Sequence, residues 1–291
     1  MYDIIIIGGG PAGISSSLYT VRAGLSTLII AKGWGSLEKA DNIQNYYGLD
    51  KETNGIELLE NGIAQAKTLG VDIVEDEVVS LEGFDQITVE GLKGKYNAKG
   101  LILAMGAPHR KPPFKNLIGF EGMGISYCAA CDGFFYKDKK IGVIGYNDYM
   151  AHEAEEIKEI SSDLTILTNG MPIDISDKDK GKIEGITVDD EKIAGFYGDQ
   201  FLEGVEFESG RKESFEGIFL AYGSATGMEM ALKTGLLTEN GAITVDEGQC
   251  TNLPNIFAAG DCTGGFKQIS TAVGEGAVAA KSAIEYVRSL K

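Results

Sequence analysis

The sequence predicts an α/β fold: two Rossmann-like, three-layer domains, the second inserted into the first. Three observations predict it. An apolar run enters a glycine turn and a helix at Ile5-Ile6-Ile7-Gly8-Gly9-Gly10-Pro11-Ala12-Gly13. A second copy, Gly142-Val143-Ile144-Gly145-Tyr146-Asn147-Asp148-Tyr149-Met150, aligns without a gap 137 positions later. A further buried-strand pattern, Ile256 to Asp261, closes the chain with a helix. The boundaries that follow are 1–111 with 244–291 for one domain and 112–243 for the other. At 291 residues there is enough chain for two cores.

Residues 2–7 and 27–31 read as parallel strands around a helix from Pro11 to about Ala23, a βαβ unit. A polar, aromatic loop from Gly33 to Gly48 precedes a helix over roughly Ile56 to Leu69. Alternating stretches at Val71–Val74, Glu77–Glu82 and Gln86–Val89 suggest an antiparallel meander. Leu101 to Ala104 is a buried strand ending at Gly106. Pro112-Pro113 reads as a linker. The second βαβ unit starts at Lys140 and closes at Leu164–Leu167. Short strands then run to about Leu220, a strand pattern returns at Ala242–Val245, and a last helix spans about Thr271 to Val287.

A net charge of −17 argues against nonspecific nucleic-acid or anionic-membrane binding. Residues 112–243 carry 24 acidic against 12 basic side chains, so the middle of the chain attracts phosphates poorly at long range. No apolar run approaches the roughly 20 residues that span a bilayer, and Ile4–Ile7 lacks the basic leader of a signal peptide. Four cysteines, two of them closely spaced, do not form a secreted disulfide framework. A cytoplasmic protein is expected.

The first glycine turn has a mechanical reading. Gly8 permits the tight turn, Gly10 lets the backbone approach a pyrophosphate, and Gly13 lets the helix pack on the strand with its N-terminus toward the phosphates. Ala31 stands where an acid often binds a ribose, so only the pyrophosphate contact is expected. Asp261, after Gly260 at a strand end, either hydrogen-bonds a cofactor hydroxyl or caps the next helix.

Cys128-Ala129-Ala130-Cys131-Asp132-Gly133 is a C-x-x-C pair between the two copies. A zinc ribbon needs a second pair at similar spacing; Cys250 and Cys262 lie 12 apart, and the histidines are His109 and His152. No metal is expected. The pair reads as a redox dithiol, with Asp132 placed to move protons to and from a thiolate, or simply as a turn residue before Gly133. Cys250 and Cys262 read as small buried apolar side chains.

The run Gly124-Ile125-Ser126-Tyr127-Cys128-Ala129-Ala130-Cys131-Asp132-Gly133-Phe134-Phe135 resembles the active-site segment of low-molecular-weight thioredoxin reductases. Ile43-Gln44-Asn45-Tyr46-Tyr47-Gly48 resembles that family's flavin loop. Leu103-Ala104-Met105-Gly106 resembles its alanine-threonine-glycine strand end, and Ile256 to Asp261 with Lys267-Gln268-Ile269 its C-terminal FAD motif. The resemblance implies FAD held by Gly8, Gly10, Pro11, Ala12, Gly13, Asn45, Gly260, Asp261, Lys267, Gln268 and Ile269. It implies that Cys131 faces the flavin, that Cys128 attacks thioredoxin and that Asp132 is the acid/base. It also implies a homodimer. Phe134 and Phe135 then sit at the thioredoxin contact, or are ordinary core aromatics.

The departures point further. NADPH-using members keep the second glycine motif and an arginine-rich segment beyond the next strand. Here Asn147 and Met150 replace the glycine and the small residue, Asp148 reads as a helix N-cap that also repels a pyrophosphate, and no Lys or Arg occurs between Leu167 and Lys178. Charge-assisted hydrogen bonds to a 2′-phosphate are worth about 1.5–3 kcal/mol each, so two losses cost about 100-fold in affinity. This combination resembles the ferredoxin-dependent flavin thioredoxin reductases, which implies ferredoxin as donor and thioredoxin as acceptor. A dithiol with those two roles must face the flavin at one stage and thioredoxin at another, so domain rotation about the crossings near 112 and 243 is expected. Ferredoxins are usually acidic, so a basic docking patch is needed; His109, Arg110, Lys111 and Lys115 form the best cluster, or else a solvated hinge. An NADPH-dependent reductase with an unusual pocket, and a non-enzymatic flavin sensor or thioredoxin-binding regulator, stay open as rivals.

Overall fold

The computed structural model describes residues 1–33, 35–49, 51–83, 86–107, 112–127, 129–222, 230–231 and 233–290, without the side chains of Ala130 and Cys131. The chain forms two units, Met1–His109 with Thr226–Lys291, and Arg110–Ala225.

In the first unit, β1 (Tyr2–Ile7) pairs in parallel with β2 (Thr27–Ala31), Ile4 opposite Thr27, across helix α1 (Pro11–Arg22). Ile4 to Ile7 are buried throughout, which is why a continuous apolar run and not an alternating one forms this strand. Helix α2 (Gly55–Thr68) starts at Asn54, whose side chain accepts the Glu57 amide. Strand β3 (Asp72–Glu75) then pairs in parallel with β2, Ile73 opposite Ile29. The sequence suggested an antiparallel segment here. The strand instead follows a crossover helix, and such a strand joins its sheet in parallel. The meander begins one strand later, as β4 (Val78–Glu82), β5 (Ile87–Gly91) and β6 (Lys95–Leu103). The far half of β6 runs parallel to β1, Ile102 opposite Ile6.

The second unit opens with β7 (Ile125–Ser126), the one-turn helix α3 (Ala129–Asp132) and a 3-10 turn at Gly133–Tyr136. Strand β8 (Ile141–Ile144), helix α4 (Asp148–Lys158) and strand β9 (Leu164–Leu167) form its βαβ unit. Strand β10 (Thr187–Asp189) adds in parallel to β9. Strands β11 (Ile193–Gly198), β12 (Leu202–Phe207) and β13 (Lys212–Ser214) make a separate antiparallel sheet. Strand β14 (Gly217–Leu220) returns to the parallel sheet between β8 and β7. Its two faces are packed differently. Val143, Ile166 and Phe219 meet Met150, Ala154 and Ile157 of α4, whereas Ile144, Ile218 and Leu220 meet Phe196, Val205 and Phe207 of the antiparallel sheet. Three layers result.

The chain re-enters the first unit through a short hairpin, β15 (Thr238–Glu239) and β16 (Ala242–Ile243). The second crossing thus lies before Thr226 and not near 243. Leu236 and Ile243 are buried there, and a Cβ on Gly264 would stand 3.3 Å from that of Ala242. Strand β17 (Ile256–Ala258) pairs in parallel with β6, and helix α5 (Ile269–Ser289) packs on α1. The Ser15 and Ser16 hydroxyls donate to the Val273 and Gly276 carbonyls at 2.7 and 3.0 Å. A Cβ at Gly276 would lie 2.3 Å from the Ala12 carbonyl oxygen, so glycine is what lets the helices meet. Among the described residues no helix is long and apolar enough to cross a membrane.

Candidate active site

The first glycine turn is shaped by two backbone approaches. The Gly8 amide donates to the Ile30 carbonyl at 2.8 Å. Gly8 has φ +112°, and a Cβ there would sit 2.1 Å from the Ala104 carbonyl oxygen. A Cβ at Gly13 would sit 1.9 Å from the Gly8 carbonyl oxygen. Gly10 is different: a Cβ there would meet nothing within 4 Å. It is the N-cap of α1, no side chain caps the helix, and Pro11 opens it. No side chain therefore takes the first amides of α1 at the positive end of the helix, which fits a dinucleotide pyrophosphate.

Other expected cofactor residues gather in the same unit. The Asn45 side-chain amide donates to the Gln268 side-chain oxygen at 2.8 Å, joining two loops 223 residues apart. Gln268 is the N-cap of α5 and Ile269 its first residue; Lys267 is exposed. A Cβ at Gly260 would stand 3.0 Å from the Ala12 Cβ, so the end of β17 meets the start of α1. Asp261 is not a cap. Gly260 is the N-cap of the 3-10 turn Asp261–Thr263, and Asp261 is its first residue. Glu275, which the sequence reading passed over, accepts the Gly260 amide at 2.7 Å and fixes this corner.

The second turn has been filled by its own residues. Asn147, not Asp148, caps α4: its side-chain oxygen accepts the Met150 amide at 3.3 Å. The Asp148 carboxylate reaches outward and accepts the Ser176 amide at 2.7 Å. The Asp174 amide donates to the Tyr146 carbonyl at 2.7 Å, so residues 174–176 lie along the turn. Met150 is fully buried, and a Cβ on Gly145 would come within 2.6 Å of the Met150 Cβ. The side chain sits where the first copy has backbone against backbone.

Cys128 lies outside the described residues, as do His109, Arg110 and Lys111; Cys131 is placed by its backbone in α3. The described part of the turn is held by carboxylates. The Ser126 hydroxyl donates to Asp132 Oδ2 at 2.6 Å, and the Tyr127 hydroxyl donates to Glu121. Burial, and behind it the Asp132 charge, pushes the Tyr136 hydroxyl above its ordinary range. The Ala129 amide donates to Oε2 of Glu153, a glutamate that is 2% exposed, at 3.3 Å. Glu153 too was missed. Phe134 and Phe135 are 82% and 68% exposed, edge to face, so they are not core aromatics. Lys115 is exposed, and its backbone pairs with Ala194 and Phe196. Burial pushes the Cys262 thiol up to about 12, and raises that of the half-buried Cys250. Neither is poised as a nucleophile.

Residues 2–276 match the family model described as pyridine nucleotide-disulphide oxidoreductase. A thioredoxin reductase from Listeria monocytogenes is 32% identical, covering 100% of this chain and 95% of its own. The chain belongs to the thioredoxin reductase family of these oxidoreductases. Two solved structures extend the likeness. The atypical thioredoxin reductase of Desulfovibrio vulgaris Hildenborough aligns with a TM-score of 0.94 and 37% identity over 99% of both chains. A ferredoxin-flavin thioredoxin reductase from Clostridium acetobutylicum aligns with a TM-score of 0.73 and 31% identity, covering 99% of this chain and 98% of that one.

Proposed function

We propose that this chain is a flavoprotein disulfide reductase that draws electrons from reduced ferredoxin and delivers them to thioredoxin. FAD is its cofactor. Gly8, Gly10, Pro11, Ala12 and Gly13 would hold the pyrophosphate at the start of α1, with Asn45, Gly260, Asp261, Lys267, Gln268 and Ile269 along the rest of the molecule. When bound, FAD supplies the conversion of single-electron deliveries into a two-electron reduction of a disulfide. Cys128 then attacks the thioredoxin disulfide as thiolate, forming a mixed disulfide and releasing one thioredoxin thiolate. Cys131 displaces the second thioredoxin sulfur and closes the Cys128–Cys131 bond. Asp132, held by the Ser126 hydroxyl, exchanges the protons. The cysteine usage fits a cytoplasmic setting, and the enzyme is expected to work as a homodimer.

The observation that carries the choice of donor is the second turn. Its helix start is capped by Asn147, its next carboxylate is engaged by Ser176, and residues 174–176 lie along it. A pyridine nucleotide would have to displace that whole arrangement. The Clostridium neighbour, by its name, uses ferredoxin. A second reading, an NADPH-type enzyme, is favoured by the many relatives called simply thioredoxin reductase. Anaerobic reduction of the flavin with NADPH, NADH and reduced ferredoxin in parallel separates the two. Bleaching by ferredoxin alone is expected; full bleaching by stoichiometric NADPH overturns the ferredoxin reading. Cys128→Ser is expected to abolish thioredoxin turnover with FAD retained.

A further inference from the structure

We propose that Glu153 is a positioning residue for the redox dithiol, tying its turn to helix α4 and holding the Cys128–Cys131 couple strongly reducing. The proposal rests on the dithiol reading above and adds to it a residue from a different element.

The location is the first argument. Glu153 lies within the buried stripe of α4, with Met150, Ala154 and Ile157 at helical spacing, all fully buried. A carboxylate in that stripe carries a desolvation cost that an alanine or leucine would not. It is kept where it accepts the amide of Ala129, the residue that follows Cys128 and opens α3. The bond crosses 24 residues of chain and joins α3 to α4. Asp132 with Ser126, and Glu121 with Tyr127, anchor the same segment on its two sides.

Charge is the second argument. A carboxylate that takes the backbone amide next to Cys128 disfavours a thiolate formed on that turn, more strongly where water is excluded. A dithiol whose thiolates are disfavoured gains less from being reduced, so its disulfide form is favoured and the couple is a better reductant. That is the direction needed to drive electrons onto thioredoxin.

The test uses the full-length holoprotein equilibrated with mixtures of reduced and oxidised dithiothreitol. Each enzyme disulfide takes up two electrons and two protons as one dithiothreitol closes to its cyclic disulfide. Glu153→Gln keeps an acceptor for the Ala129 amide and removes the charge. It is expected to move the equilibrium about tenfold toward the enzyme dithiol, about 30 mV for this two-electron couple. The pH profile of thiol alkylation should shift to lower pH in parallel, and Glu153→Asp, which restores a charge, should bring both readings back toward the unaltered protein. Far-ultraviolet dichroism and flavin content check that each variant is folded. A Glu153→Gln protein with the couple within twofold of the original and an unmoved alkylation profile overturns the role of Glu153. An unaltered protein that takes up no electron pair at all overturns the dithiol reading itself, and this proposal with it.

Discussion

The two glycine turns start from the same pattern and end as opposites. At the first, Gly13 presses on Gly8 and the start of α1 has no side-chain cap. At the second, Met150 occupies the contact, Asn147 supplies the cap, and residues 174–176 lie along the turn. A helix start has a fixed number of amides to satisfy. A side chain that takes one of them stabilises the helix by itself; where none does, that amide stays open to a ligand. The first turn keeps its binding capacity by leaving its own structure incomplete, and the second has exchanged capacity for self-sufficiency.

Breaking the first turn should have the largest effect. Gly13→Val places a Cβ 1.9 Å from the backbone oxygen of Gly8, which no side-chain motion relieves. A loss of about 3 kcal/mol in stability is expected, at the upper end of overpacking, with FAD absent from the purified protein by its visible absorbance. Full flavin content would show that the α1–β1 contact is not what shapes the site. Next is Met150→Ala, which empties a fully buried position of α4. Urea denaturation should register about 2–5 kcal/mol of destabilisation of the second unit. NADPH binding should not appear in equilibrium dialysis, because the Asn147 cap and the Ser176–Asp148 bond are untouched. Micromolar NADPH binding would mean that Met150 alone closes the site.

The comparison also shows which parts of the molecule were readable beforehand. Both βαβ units were legible because a glycine that must pass close to backbone leaves no alternative residue, and because Ile4 to Ile7 has no second way to be buried. The pairing of β3 was not, since four residues, two apolar between two acidic, fit either sense, and the helix before them decides it. Asn147 and Asp148 both suit a helix start, so the choice of cap needed geometry. Glu153 and Glu275 were overlooked for one reason. Each sits in the apolar stripe of its helix, Glu153 between Met150 and Ile157 and Glu275 between Ala272 and Ala279. An acid in such a stripe needs partners, and in both cases they include a backbone amide beside the site. That mismatch of residue and position was the available signal.

The sharpest test exchanges one residue between the turns. Gly10 has the extended conformation of an N-cap, φ −77° and ψ −173°, and a Cβ there would meet nothing within 4 Å. Gly10→Asn therefore brings in the residue found at the second turn without a clash. Its side chain should accept an α1 amide, changing the stability of the flavin-free protein by only a few tenths of a kcal/mol, the usual difference between asparagine and glycine caps. The same oxygen then takes an amide that the pyrophosphate needs and stands in its space. FAD affinity should fall about tenfold or more, a loss of about 1.4 kcal/mol, in a protein whose flavin-free melting temperature is nearly unchanged. Fluorescence titration of the stripped protein with FAD gives the first quantity and thermal denaturation the second. Unchanged affinity would show that a capped helix start can still hold the cofactor, and the contrast between Gly10 and Asn147 would then explain nothing about which turn binds.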